Sequence, residues 1–236
     1  MRKPVIVANW KMHMTNSEAK TYCDSFLRVM KESNVEIVLC PPFTALSAVY
    51  DKIKNTNVQL GAQDMFWEES GAFTSQISPL MLISVGCEYV IVGHSERRQQ
   101  FGETDDTVNK KAREALQHNL IPIICVGETL EQREKGETHK VIESQVKNAL
   151  KGVKGEFIIA YEPVWAIGTG KTATPEQAAE VHSQIRKLTD DKTRIIYGGS
   201  VTPENIKSLM AKEDIDGALV GTASLKPDSF AQIVYY

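Results

Sequence analysis

The chain has 236 residues, 42% hydrophobic and 24% charged, the composition of a globular protein long enough to bury one large core. Its net charge is −3 with no basic block, which argues against nucleic acid as a partner, although local lysines and backbone amides can still hold a small anion. No apolar run follows the charged start at Arg2 and Lys3, and the longest charge-free stretch, 70–87, contains Gly, Ser, Thr, Gln and Pro, so neither a secretory signal nor a membrane span is expected.

Compact Val/Ile-rich runs recur along the whole chain. In order they are VIVANW (5–10), EIVLC (36–40), VQLGA (58–62), YVIVG (89–93), IPIICV (121–126), FIIAY (157–161), RIIYG (194–198) and GALVG (217–221). Each has the composition of a strand buried on both faces. Amphipathic segments lie between them, with helix starts predicted at Ser17-Glu18, Ser78-Pro79, Thr174-Pro175 and Thr202-Pro203-Glu204. Eight such units of roughly 30 residues, with no linker or composition shift, predict a single-domain α/β fold: a (β/α)8 barrel over 1–236. An open doubly wound sheet is the alternative. In a closed barrel, catalytic groups belong at the C-terminal ends of the strands and in the loops that follow.

Several polar residues fall there. Asn9 and Lys11 end the first run two positions apart, so an extended chain would direct both into the mouth, where an amide and a cation suit an anionic substrate. His94 ends the fourth run ahead of Ser95-Glu96-Arg97-Arg98, which can open a helix, and a helix N-terminus favours a neutral imidazole. Glu162 ends the sixth run, where a carboxylate can act as a general base or form a structural ion pair. The segment after it, EPVWAIGTGKTA (162–173), contains GTGKT but is not a nucleotide loop. GxxxxGK[ST] would need glycine where Trp165 stands. Pro163 at one end and Gly168-Thr169-Gly170-Lys171 at the other instead frame a hinged lid or an ordinary surface loop. Gly198-Gly199-Ser200 and Gly221-Thr222 offer backbone N–H groups after strands seven and eight, the usual phosphate position in barrels.

Cys23, Cys40, Cys87 and Cys125 lack CxxC spacing and sit in apolar surroundings, the pattern of reduced, buried thiols in a cytoplasmic protein. No HxxH, HExxH or clustered-carboxylate spacing is present, so no metal is expected, and no Rossmann fingerprint or GxSxG elbow occurs.

The blocks ANWKMH (8–13), GAQD (61–64), GAFTSQISPLML (71–82), VGHSERR (92–98), FGETD (101–105), ICVGE (124–128), AYEPVWAIGTGK (160–171), YGGSV (197–201) and DGALVGTASL (216–225) together resemble the triosephosphate isomerase family across all eight units. The resemblance implies interconversion of dihydroxyacetone phosphate and D-glyceraldehyde 3-phosphate through an enediolate, in glycolysis and gluconeogenesis, without cofactor or metal. It implies Glu162 as the base, His94 as the neutral electrophile and Lys11, with Asn9 beside it, as the stabiliser of negative charge. Glu96 would lie close to Lys11, Cys125 behind the base, and Arg97 and Glu103 would form a structural ion pair. The lid would be Pro163, Val164, Trp165, Ala166, Ile167, Gly168, Thr169, Gly170 and Lys171. Gly168, Ser200, Gly221 and Thr222 would grip phosphate.

The loop 65–78, MFWEESGAFTSQIS, would reach a neighbouring subunit in a homodimer, with Thr74 close to the partner's site; its Phe66, Trp67 and Phe73 suit an interface. Four departures from the family pattern stand out. Asp64 replaces the usual Asn, beside the expected position of Lys11. Ser75 replaces a frequent Gly, and Thr222 a Gly whose positive φ a β-branched residue would resist. The chain is also somewhat short at its C-terminus. A barrel kept only as a metabolite- or protein-binding module, and an aldolase or other phosphosugar barrel, are the competing functional readings.

Overall fold

The structure is a computed structural model describing residues 2–167 and 172–236. Among them eight strands, all parallel and paired in sequence order, close into a barrel through the β1–β8 ladder. The strands are β1 (Val5–Asn9), β2 (Glu36–Cys40), β3 (Val58–Ala62), β4 (Tyr89–Val92), β5 (Ile121–Val126), β6 (Ile158–Tyr161), β7 (Arg194–Tyr197) and β8 (Gly217–Val220). The single-domain barrel predicted from the sequence is therefore the observed fold, with strand ends shifted by at most one residue.

Successive side chains on a strand alternate between the barrel interior and the helical shell. Val5, Val7, Val38, Ile91, Ile123, Ile158, Ile196 and Leu219 form an inner core. Ile6, Ala8, Trp10, Ile37, Leu39, Val90 and Ile124 pack outward with the helices in a second one. Both faces of each strand are thus dry, which explains continuous apolar runs instead of polar alternation. Asn9 continues the inward series of Val5 and Val7 to the rim, and Trp10 turns outward against Tyr22 with ring centroids 4.6 Å apart.

The helices are α1 (Asn16–Val29), α2 (Leu46–Ile53), α3 (Pro79–Ser84), α4 (Ser95–Phe101) and α5 (Asp105–Gln117). Then follow α6 (Leu130–Glu134), α7 (Thr138–Ala149), α8 (Pro175–Leu188), α9 (Ile206–Met210) and α10 (Pro227–Val234). Ser78 and Thr174 cap α3 and α8 as predicted. Two predicted starts move. The cap of α1 is Thr15, whose side chain accepts from Glu18 N while Glu18 accepts from Thr15 N, a reciprocal capping box that outcompetes Ser17. After β7 the α-helix begins only at Ile206, and Asn205 before it ties back to the loop, accepting from Thr202 N at 2.9 Å and donating to Ser200 O at 3.0 Å.

Of the departures, Thr222 is accommodated without strain: it opens a 3₁₀ turn (Thr222–Leu225) and is not among the positive-φ residues, so the expected penalty does not arise. Ser75 does carry one. Its φ is 77°, in the left-handed region that costs an L side chain about 1 kcal/mol or more. Ser75→Gly is expected to raise the unfolding free energy by roughly 0.5 kcal/mol, the relieved strain partly offset by the looser unfolded chain. Chemical denaturation of the two proteins side by side measures it.

Asp64 is buried and does not face Lys11. Arg97 Nε lies 2.8 Å from it and Lys111 Nζ 2.6 Å, and Lys111 also pairs with Glu103. The expected Arg97–Glu103 pair is longer, at 3.7 Å, so Asp64 is the nearer partner in a four-membered cluster. Burial pushes the Asp64 carboxyl above its ordinary range, opposed by the Lys111 ammonium.

Candidate active site

Glu162 follows β6, its N–H donating to Val126 O at 2.8 Å. Two glycines make its position possible. A Cβ at Gly127 would fall 1.8 Å from Glu162 O, and one at Gly198 would fall 2.8 Å from Glu162 Cγ. The carboxylate is only 1% exposed. Oε2 accepts from Ser95 N at 2.8 Å, the free N–H at the start of α4. Oε1 lies 3.2 Å from His94 Nε2 without forming an aligned hydrogen bond, which leaves one buried carboxylate oxygen poorly satisfied. The Cys125 thiol packs against the same carboxylate, and its pKa is driven upward first by burial and then by that neighbouring charge.

His94 is the N-cap of α4. Its Nδ1 accepts from Glu96 N at 3.2 Å, so this nitrogen carries no proton and Nε2 carries the N–H of a neutral ring. Beneath it Arg98 braces the turn, donating from Nε to Gly93 O at 2.8 Å and from a terminal nitrogen to Cys125 O at 3.1 Å.

Lys11 reaches the mouth by a route other than the extended one expected. Its φ is 52°, and the turn is fixed by Lys11 N donating to Asn9 Oδ1 at 3.0 Å and by Gln63 Nε2 donating to Lys11 O at 2.8 Å. Lys11 Nζ bonds Glu96 Oε1 at 2.8 Å, an ion pair with its Lys side chain about three-quarters buried. A Cβ on Gly221 would sit 3.5 Å from Lys11 Cε, so the β8 turn passes directly beside the lysine stem.

A cleft of about 410 Å³ opens here. Asn9, Lys11, His94, Ile167, Ser200, Gly221 and Thr222 all line it, together with Lys226 and Ser229. Glu162 and Glu96 do not, the first being withdrawn behind His94 and the second lying outside Lys11. Gly221 and Thr222 stand at the start of the 3₁₀ turn, where N–H groups have no intrahelical acceptor and suit an anion.

At the near end of the proposed lid, Pro163 leads into a 3₁₀ turn over Val164–Ala166. Trp165 Nε1 donates to Glu128 Oε1 at 2.9 Å, and Tyr161 and Arg133 reach the same oxygen at 3.1 Å each. Arg133 also covers the Trp165 ring at 4.8 Å. This anchor at Glu128 was not singled out from the sequence, although its place just past β5 is one where a barrel gathers functional groups. Gly168, Thr169, Gly170 and Lys171 lie outside the described residues. Thr74 is exposed in the 65–78 loop and does not line this chain's own cleft.

An all-parallel closed barrel with a carboxylate, an imidazole, an ammonium and unpaired turn N–H groups at one end has the architecture of a barrel enzyme. A sequence model of the family described as triosephosphate isomerase matches residues 4–236. The triosephosphate isomerase of Thermoanaerobacter sp. (strain X514) is 56% identical over 248 positions, covering 100% of both chains. That of Geotalea uraniireducens (strain Rf4) is 55% identical, covering 100% of this chain and 99% of the relative. That of Moorella thermoacetica (strain ATCC 39073 / JCM 9320) is 53% identical with the same coverage. The chain belongs to the triosephosphate isomerase family.

Proposed function

We propose that the chain interconverts dihydroxyacetone phosphate and D-glyceraldehyde 3-phosphate, the reaction of its family, with Glu162 moving the proton between the two adjacent carbons. The observation that supports this best is that Lys11 and His94 line one cleft with the turns after β7 and β8, and that Glu162 Oε1 lies 3.2 Å from His94 Nε2. Abstracting a proton next to a carbonyl leaves an enediolate, so the site must hold a base and fixed donors for the oxyanion. His94 Nε2–H supplies one donor in its neutral form and can pass a proton between the two substrate oxygens. Lys11, held by Glu96, supplies the positive charge, and Asn9 orients the Lys11 turn.

Glu162 rests out of the cleft on Ser95 N, so catalysis requires it to leave that N–H and swing toward the substrate. The family resemblance assigns 163–171 as the lid and Gly168, Ser200, Gly221 and Thr222 to phosphate; among the described residues Trp165 and Glu128 form the lid's near anchor. Closing the lid excludes water, which strengthens the charge interactions and prevents loss of phosphate from the enediolate. A coupled assay on glyceraldehyde 3-phosphate tests the reading. Turnover by the wild type, sharply reduced in Glu162→Asp and His94→Gln, supports it; activity unaffected by both changes contradicts it.

The working unit is a homodimer. Phe73, Leu80, Met81 and Ile83 are exposed along the 65–78 loop and α3, and Met12 is 94% exposed, apolar side chains that a partner chain would cover. Thr74 then lies close to the partner's site. Sedimentation at assay concentration is expected to find dimers, and a fully active monomer there overturns this. A cytoplasmic location accords with the four buried free cysteines, and no described helix is long and apolar enough to cross a membrane.

A further inference from the structure

Lys110 and Glu114 on α5 and His118, the residue that caps its C-terminus, follow one another at intervals of four, a single stripe. That stripe faces the first half of the 65–78 loop. Lys110 Nζ lies 5.5 Å from the centre of the Trp67 ring. One helical step further, His118 Nε2 lies 3.1 Å from Glu114 Oε1 and 3.2 Å from Glu69 Oε1. The three atoms are all within 4.8 Å of one another, the one such grouping of three metal-ligating side chains among the described residues. The Glu114 and His118 side chains are 17% and 15% exposed, so two members are held by packing, and Glu69, 60% exposed, comes from the loop.

The arrangement asks more of one nitrogen than a proton can give. Nε2 carries at most one N–H, whereas two carboxylate oxygens converge on it. A divalent cation in place of that proton can bond all three atoms at about 2.0–2.2 Å after small side-chain rotations. One imidazole and two carboxylates form a borderline donor set, suited to Zn²⁺ and its first-row neighbours and poorly suited to Ca²⁺ or Mg²⁺, which prefer oxygen alone.

We infer that Glu69, Glu114 and His118 form a site for a borderline divalent cation on the outer face of the barrel. The ion ties the loop to α5. Helices in a barrel run back from the mouth, so His118, just past the end of α5, lies at the end of the helix remote from the catalytic cleft, and the site has no part in the chemistry of Glu162. Phe66 packs in tilted contacts against both Trp67 and Phe73, at 4.0 and 4.6 Å between ring centroids, so a fixed Glu69 restrains the loop as far as the residue before Thr74.

The test is calorimetric titration of the chelator-stripped full chain with zinc chloride, backed by the visible spectrum on adding Co²⁺. The expected result is one Zn²⁺ per chain, with affinity falling at least about tenfold in both Glu69→Ala and His118→Ala, a loss of about 1.4 kcal/mol or more. The rate and KM of Glu69→Ala without added metal should match the wild type. Glu69 lies in an exposed loop stretch, so failure to fold does not obscure that variant. Absence of zinc uptake by the wild type, or full affinity in either variant, overturns the proposal; the latter places the ion elsewhere, such as the exposed His139–Glu180 pair.

Discussion

Replacing Glu162 by glutamine should lower kcat by about 10²–10⁴-fold, the contribution of a well-placed general base. Glutamine keeps the size of the side chain and one oxygen able to accept from Ser95 N, so the packing against Gly127, Gly198 and Cys125 survives. What is lost is the basic oxygen now facing His94 Nε2. Because Glu162 does not line the cleft in its resting position, binding of a phosphate-bearing substrate analogue should change little, and the loss should fall on kcat and not on KM. Steady-state kinetics with a thermal unfolding control make the comparison. A variant retaining more than a tenth of the wild-type kcat removes Glu162 from the role of base.

Lys11→Met should reduce kcat/KM by roughly 10²–10³-fold, about 2.7–4 kcal/mol for one lost oxyanion donor. Here kcat and KM should both worsen, because the ammonium serves the bound anion as well as the charge that develops during reaction. The Glu96 carboxylate, now 2.8 Å from Lys11 Nζ, would lose its partner and repel an anionic substrate from the cleft. Pairing Lys11→Met with Glu96→Gln separates the two effects. The double variant should bind phosphate-bearing ligands better than Lys11→Met alone while remaining catalytically poor. If the double variant recovered kcat as well, Lys11 would act only by neutralising Glu96.

The barrel was readable because its strands are buried on both faces, so that Val5–Ala8 or Ile121–Val126 stand out as unbroken apolar runs against amphipathic helices. His94 and Glu162 each stand directly after such a run, where a strand delivers a polar group to the end of the barrel, and both are buried there. Contacts decided by backbone conformation or by distant partners were not readable. Lys11 meets Asn9 through a left-handed turn that period-two reasoning misses. Asp64 finds Lys111, 47 positions away, instead of Lys11. The resting hold on Glu162 is a backbone N–H, that of Ser95, which no side-chain pattern announces. The Glu69–Glu114–His118 grouping has no signature in the sequence, because Glu69 comes from a separate loop and the three residues follow no metal-binding motif.

Proton transfer by Glu162 between adjacent carbons, through an enediolate, is tested by turnover of glyceraldehyde 3-phosphate in D₂O, followed by NMR of the product. Dihydroxyacetone phosphate carrying deuterium on its hydroxymethyl carbon is the expected result, since a proton resting on Glu162 can exchange with solvent before it is returned, and this incorporation should vanish in Glu162→Gln. Product formed at the full wild-type rate with no deuterium from solvent, or undiminished incorporation in the folded Glu162→Gln protein, would contradict it.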